Sequence, residues 1–427
     1  MTGAALRRPC VLLATRIFVP EAAAATFRLR ALVRALAGRA EVRVLTTTPP
    51  PSLRAGRATR GPAHVPAEVS RWPVLRDATG YVRGYLPYLS FDLPLALRLL
   101  TAPRPDVVVV EPPPTTGAVT RVALSLRGVG RTRIPYVYYA ADVWSDATAS
   151  MGAPAPVVRL MRLVERFALR GARDVIAVSD GVAERVRALA GPRAPVTVVP
   201  NGIDTDVFTP DGERHPEAPD TPYLVYAGTA SEWQGAEVFA EAMREVVREE
   251  PAARLVFLGH GSSWPLLARV RDELPAGAIE LRPLVPAQEA AAWQRGAAAA
   301  LVSVRPGVGY DFAYPTKVIA ALACGTPVVL AGPGPAAEDL RTHRLGTAVS
   351  YEVSQVAAAM LAAVRAHREG RDEEEAARRV RWVHEHRSLA ATGEAAAAVV
   401  TGPAATGPAA TGPAATGAAA TGAAAPA

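Results

Sequence analysis

The chain has 427 residues, 50% apolar and 20% charged, which is too long for a single hydrophobic core and too apolar for a disordered chain. Its two cysteines, Cys10 and Cys324, exclude a disulfide framework or a Cys-based zinc cluster, and no run of about 18 uncharged apolar residues predicts a membrane-spanning helix. The net charge of +7 divides unevenly, with +13 over residues 1–210 and −6 over 211–427, and a single lysine, Lys317, stands among 46 arginines.

Residues 7–18 imitate a signal peptide, two arginines and then CVLLATRIF, but Arg16 cuts the apolar run short and a buried first strand fits it better. The expectation is a cytoplasmic protein. Short apolar runs then alternate with helix-patterned stretches, the mark of a parallel α/β architecture. Strands are predicted at Val11–Leu13, Glu41–Thr46, Asp106–Val110, Tyr136–Tyr139, Asp174–Val178 and Val196–Val199. Helices are predicted at Ala25–Leu36, Val157–Leu169 and Gly181–Leu189. The segment Thr209–Thr221, rich in Pro, Asp and Glu, reads as a linker. Beyond it strands recur at Tyr223–Tyr226, Arg254–Phe257, Ile279–Arg282, Ala299–Val302 and Pro327–Leu330. Helices Glu237–Arg248, Trp264–Glu273, Gln288–Arg295 and Val318–Ala323 separate them. From Gly393 the sequence turns to low complexity, with TGPAA three times from Thr401 and TGAAA twice, and predicts a disordered tail. The expected domains are therefore 1–208 and 222–392, joined by 209–221 and followed by a tail over 393–427. Two such domains predict a cleft between the C-terminal ends of their sheets.

Several segments could carry chemistry there. Tyr226-Ala-Gly228-Thr229 ends a strand, and Gln234-Gly235 opens a helix, so free backbone N–H groups form a diphosphate cradle unless this is a plain strand–helix turn. Gly259-His-Gly261 also ends a strand, but Trp264 stands where a third glycine would complete a dinucleotide fingerprint, and a lone Gly-x-Gly is weak evidence. Pro315-Thr316-Lys317 opens another helix and offers N–H groups, a hydroxyl and a compact charge, which suit a departing diphosphate. The alternative is a capped surface helix with a solvated lysine. In the first half, Asp142 ends a strand in Ala-Asp-Val-Trp and is placed to accept a proton from an acceptor hydroxyl, or merely to cap a turn. Glu111 and Glu21 are further acceptor-side candidates. Asp204-Thr-Asp206 sits in a turn and is not read as a metal site. The histidines have no ligand spacing, and the arginines of the basic half are spread without interleaved aromatics, against nucleic-acid binding.

VPNGIDTDVF at 199–208, together with VLLATRIFVPE, PDVVVVEPPPTTG, PYVYYAADVWSDA and YPTKVIAALACGTP, resembles the retaining GT-B glycosyltransferases of family four, in a subgroup with a Pro-Ser/Thr-Lys motif. The resemblance spans the chain up to the tail. It implies two Rossmann-like doubly wound domains facing a cleft, and transfer of a sugar from a nucleoside-diphosphate-sugar to a hydroxyl acceptor with retention. The acceptor class left open is glycan, lipid-linked or small molecule. It also implies no catalytic metal and no cofactor, Asp142 as the catalytic candidate, and a donor site of Gly228, Thr229, Gln234, Gly259, Arg305, Pro315, Thr316 and Lys317. The family's Glu-x7-Glu positions fall on Phe312 and Ala320, its acceptor-loop glycines on Ala22–Ala25, and the Arg and Lys of its phosphate loop are absent from TASEWQGAE. Two rivals remain, an epimerase of the same fold and a degenerate auxiliary subunit that binds nucleotide sugars. The +13 half predicts an anionic acceptor or an anionic membrane surface as partner, met through the Arg28–Arg43 helix.

Overall fold

The computed structural model describes residues 8–21, 23–50, 65–77, 82, 84–129, 132–150, 153–370 and 373–403. The first sheet contains β1 (Cys10–Ala14), β2 (Glu41–Thr47), β3 (Glu68–Trp72), β4 (Val107–Val110), β5 (Tyr136–Ala140), β6 (Asp174–Ala177) and β7 (Val196–Val198). Its helices are α1 (Ala24–Leu36), α2 (Tyr85–Thr101), α3 (Pro114–Arg127), α4 (Trp144–Ser150), α5 (Ala155–Gly171) and α6 (Asp180–Ala190). The second sheet contains β8 (Tyr223–Ala227), β9 (Arg254–Leu258), β10 (Ile279–Arg282), β11 (Ala299–Ser303), β12 (Val328–Ala331) and β13 (Gly346–Val349). Around it lie α7 (Glu237–Glu249), α8 (Trp264–Asp272), α9 (Ala287–Gly296), α10 (Thr316–Ala323), α11 (Pro335–Thr342), α12 (Val353–Glu369) and α13 (Glu373–His386). A last helix, α14 (Leu389–Thr401), follows.

The strand orders are β3-β2-β1-β4-β5-β6-β7 and β10-β9-β8-β11-β12-β13, with every pairing parallel. Runs such as Val107–Val110 and Tyr136–Ala140 are buried at every position, as parallel strands covered by helices on both faces must be. In each sheet the chain winds outward one way and then returns to the other side of its first strand, so the order reverses between β1 and β4 and between β8 and β11. Those switch points are where open α/β sheets bind ligands.

β3, α2, β13 and the helices α11, α12 and α14 were not expected from the sequence. β3 is an edge strand that alternates exposed and half-buried residues. Leucines cover exposed as well as buried faces of α2, which blurs a helical period.

One expectation is corrected. The disordered tail does not begin at Gly393, because Gly393–Thr401 belongs to α14, whose Ala396, Ala397 and Val400 join the buried cluster of Leu29, Leu32 and Val33 on α1. Small residues let the backbones close up: a Cβ on Gly393 would lie 2.7 Å from the Ala31 carbonyl oxygen. Residues 404–427 of the expected tail, like Ala22 of the expected acceptor loop, lie outside the described residues. The same packing covers one face of α1, the helix expected to meet a membrane. α14 lies on that face and Arg28 is buried against Glu111 at 3.5 Å, while Phe27 and Arg34 stay exposed.

The chain thus passes between the domains twice. The two passages meet side by side in a bridge between Ile203 and Ser388. The linker residues pack on the second domain, where Arg295 donates to the carbonyls of Thr209 and Glu213 and His215 stacks on Trp293 at 4.5 Å.

Candidate functional site

At the switch point of the second sheet, β8 stops because Gly228 turns the chain with φ of +119°. β9 stops at Gly259, where a Cβ would meet the Gly228 carbonyl oxygen at 2.0 Å, so no other residue fits this crossing. The adjoining cavity of about 310 Å³ is lined by Gly228, Thr229, Gln234, Thr316, Lys317 and Ala320, and further by Leu284, Val285, Ala290 and Gln294. The sequence-predicted donor residues Gly228, Thr229, Gln234, Thr316 and Lys317 therefore converge. Pro315 sits beside them as the N-cap of α10.

Lys317 is the centre of this group. Its stem passes beneath Gly228, where a Cβ would come within 3.0 Å of Lys317 Cε. Nζ donates to the Thr229 carbonyl and to the Tyr226 hydroxyl, both at 2.6 Å, and lies 3.8 Å from the Tyr226 ring centroid. These partners are neutral, and among the described residues no carboxylate is within ion-pair distance. Burial pushes the ammonium down to about 7, which is the response of a charge desolvated without a counter-ion. A diphosphate would supply that counter-ion. The charge reaches from α10 into the very turn whose own sequence, TASEWQGAE, has no basic residue.

Gln234 is buried, and its carbonyl oxygen accepts from the Ser231 N–H and hydroxyl at 3.1 Å, which ties the turn to the start of the next helix. Arg305 does not line the cavity. It is ion-paired with Glu237 and lies over the Tyr351 ring, while its N–H holds the Trp233 carbonyl. Gly259 likewise acts through the crossing of the two turns and not by lining. Of the two positions where the resembled family carries glutamates, Ala320 does line the cavity. Phe312 instead reaches the first domain, 3.1 Å from where a Cβ on Gly181 would stand.

In the first domain, Asp142 is exposed in the turn after β5. Sequence reasoning missed the residue that fixes this turn. Glu165, buried on α5, accepts from the N–H groups of Trp144 and Ser145 at 2.8 and 3.0 Å, and burial raises its pKa. Glu111 and Glu21 are not free at the cleft. Glu111 is buried, accepts from Thr15 Oγ1 at 2.6 Å, faces Arg28, and is pushed up by burial. Glu21 takes both arms of Arg76 at 3.0 and 3.1 Å, and Arg76 also grips Thr47 and the Thr48 carbonyl. Arg16, read from the sequence only as an interruption, is buried with its guanidinium 4.3 Å from the Tyr88 ring centroid and bonded to the Val82 and Pro112 carbonyls. A charged residue inside an apolar run was the signal for it. Among the described residues, no group of three or more His, Cys, Asp and Glu is placed to hold a metal ion, and no helix is long and apolar enough to cross a membrane.

Two family models match the chain, a glycosyl transferase 4-like domain over 24–202 and glycosyl transferases group 1 over 221–366. A D-inositol 3-phosphate glycosyltransferase of Paenarthrobacter aurescens is 30% identical over 164 residues, 36% of this chain and 39% of that protein. A GDP-mannose-dependent alpha-(1-6)-phosphatidylinositol monomannoside mannosyltransferase of Mycolicibacterium smegmatis is 29% identical over 199 residues, 44% of this chain and 52% of that one. The chain thus spans about half the length, or less, of the curated relatives it matches. Among solved structures, Anabaena Alr3699/HepE in complex with UDP superposes with a TM-score of 0.63 at 16% identity, covering 92% of this chain and 99% of that one.

Proposed function

Since the chain belongs to the family 4-like GT-B glycosyltransferases, we propose that it moves a sugar from a nucleoside-diphosphate-sugar to a hydroxyl acceptor with retention of configuration. The observation that carries this reading is Lys317 Nζ, held by two neutral oxygens at the cavity edge. As the glycosidic bond to the diphosphate breaks, negative charge grows on the leaving oxygens and positive charge on the sugar. Lys317, Thr316 and the N–H groups that open α10 stabilise the first, and a compact ammonium on a flexible stem can follow the phosphate as it departs. Asp142, exposed at the end of β5, orients the acceptor hydroxyl. Neither a metal nor a cofactor is assigned a role. The test is incubation of the full chain with UDP-, GDP- and ADP-sugars and a panel of glycan, inositol-phosphate and lipid-linked acceptors, with the anomeric configuration of product read by NMR. Transfer with retention, unaffected by chelator, is expected. Nucleotide binding with no product from any acceptor would favour an auxiliary subunit, and rearranged free donor would favour an epimerase.

A second face of the basic half also suits a membrane contact. α2 exposes Leu86, Leu89, Leu93 and Leu97 at helical spacing, with Leu93 65% exposed. α3 packs beside it and exposes Leu126, and α5 packs beside α3 and exposes Leu160 and Leu163. Arg159, Arg162 and Arg166 of α5 are exposed on the same helix. Apolar side chains beside arginines suit an anionic bilayer surface. Binding to phosphatidylglycerol vesicles but not to phosphatidylcholine vesicles is expected, and weakens in Leu93→Ser/Leu97→Ser. Equal binding to both vesicle types would sink the idea.

A further inference from the structure

The donor cavity contains a polar group for which the diphosphate reading has no use. Gln294, near the C-terminal end of α9, is only 2% exposed and lines the cavity, and its side-chain oxygen has no hydrogen-bond partner. Other buried side-chain polar atoms among the described residues also lack partners, but Gln294 alone combines that with a place in this lining. Its backbone is well used, since its carbonyl accepts from Thr326 Oγ1 at 2.6 Å and from the Ala297 N–H at 3.1 Å. The residue is therefore anchored while its carboxamide oxygen is left without a donor. A buried acceptor in that state costs stability unless something fills its place.

The surrounding lining says what fills it. Leu284, Val285, Ala290 and Ala320 contribute no polar side chain, whereas the charge and hydroxyls come from Lys317, Thr316 and Thr229. A ligand with a charged half and a flat, mostly apolar half matches this division. Ala320 stands one turn after Lys317 on α10, which packs against α9. None of the described lining residues is a carboxylate, so the buried Gln294 amide is an acceptor on offer on this side of the cavity.

We infer that the Gln294 carboxamide holds the nucleoside half of the donor, accepting a hydrogen bond from one of its O–H or N–H groups. This rests on the nucleotide-sugar reading and adds a specificity-determining residue to it. The two sources of that hydrogen, ribose hydroxyl and base N–H, share one chemistry and separate by experiment.

The test is calorimetric titration of the full chain with UDP, GDP and ADP, and with inorganic pyrophosphate as the ligand that lacks a nucleoside. Gln294→Met keeps the volume and removes the unpartnered oxygen. It should melt no lower than wild type without ligand, lose about tenfold in affinity for the preferred nucleotide, as expected for one neutral hydrogen bond, and keep its pyrophosphate affinity. Loss of the Met penalty with the 2′-deoxy or 3′-deoxy nucleotide assigns the bond to ribose, and its persistence with both assigns it to the base. The inference is overturned if the Met variant binds nucleotide as tightly as wild type or if it loses pyrophosphate equally. If wild type binds none of the three nucleotides, the donor reading itself falls. Binding by wild type with no effect of substitution removes only the role of Gln294.

Discussion

The two sheet edges that could hold substrates treat charge in opposite ways. At the first, Glu21, Glu111 and Glu165 each engage both carboxylate oxygens, with Arg76, with Thr15 and Arg28, and with the Trp144 and Ser145 N–H groups. At the second, Lys317 is held by neutral oxygens alone. A charge already paired inside the fold fixes loops, whereas a desolvated charge without a counter-ion is poised for a ligand that brings one. The first edge is built to hold its loops in place and the second to receive an anion.

The sharpest way to break that contrast is to remove one charge from each side. Lys317→Ala is expected to lower the transfer rate by about 10²–10³-fold, the range for losing one donor that stabilises developing charge, with little change in folding stability. Glu111→Gln should do the reverse, lowering the unfolding free energy by about 1–3 kcal/mol in a denaturant titration while leaving nucleotide affinity near wild type. If Lys317→Ala left activity intact, or Glu111→Gln abolished nucleotide binding, the division of labour would be wrong.

The pH dependence sharpens the same contrast with a smaller effect. The free site holds Lys317 at about 7, and a diphosphate favours the ammonium and raises that value. Binding therefore takes up a proton above about pH 7. Affinity should be level below that pH and fall as pH rises through it, by up to about tenfold per pH unit until the bound-state pKa is reached. Isothermal titration in buffers of differing ionisation enthalpy reads the uptake directly. The same titration on Lys317→Ala should lose the fall, and its persistence there would move the titrating group elsewhere.

The architecture was legible where sequence periods were clean. Runs of four or five buried residues marked most strands, and their alternation with helices marked the parallel class. β3 escaped because an edge strand presents alternating exposure, and α14 escaped because its alanines resemble the repeats that follow. At the site, Lys317 was visible as the one lysine among arginines, and Gly228 and Thr229 as a strand end. Gln294 and Glu165 were not, because nothing in a local pattern shows that an amide on one helix reaches a cavity, or that a buried glutamate caps a helix 20 residues upstream. Arg305 misled for the mirror reason: its pairing with Glu237 is a tertiary fact.

The return of α14 to α1 has one more consequence, for the order in which the molecule is assembled. Arg173 donates to the carbonyls of Val399 and Val400, and Ala396, Ala397 and Val400 complete the cluster that includes Leu29 and Leu32. During synthesis the first domain leaves the ribosome long before those residues exist, and a long-range contact forms late. The first domain is thus completed by α14, the last helix among the described residues, so a nascent chain carries an open apolar face over α1 until residue 401 has emerged.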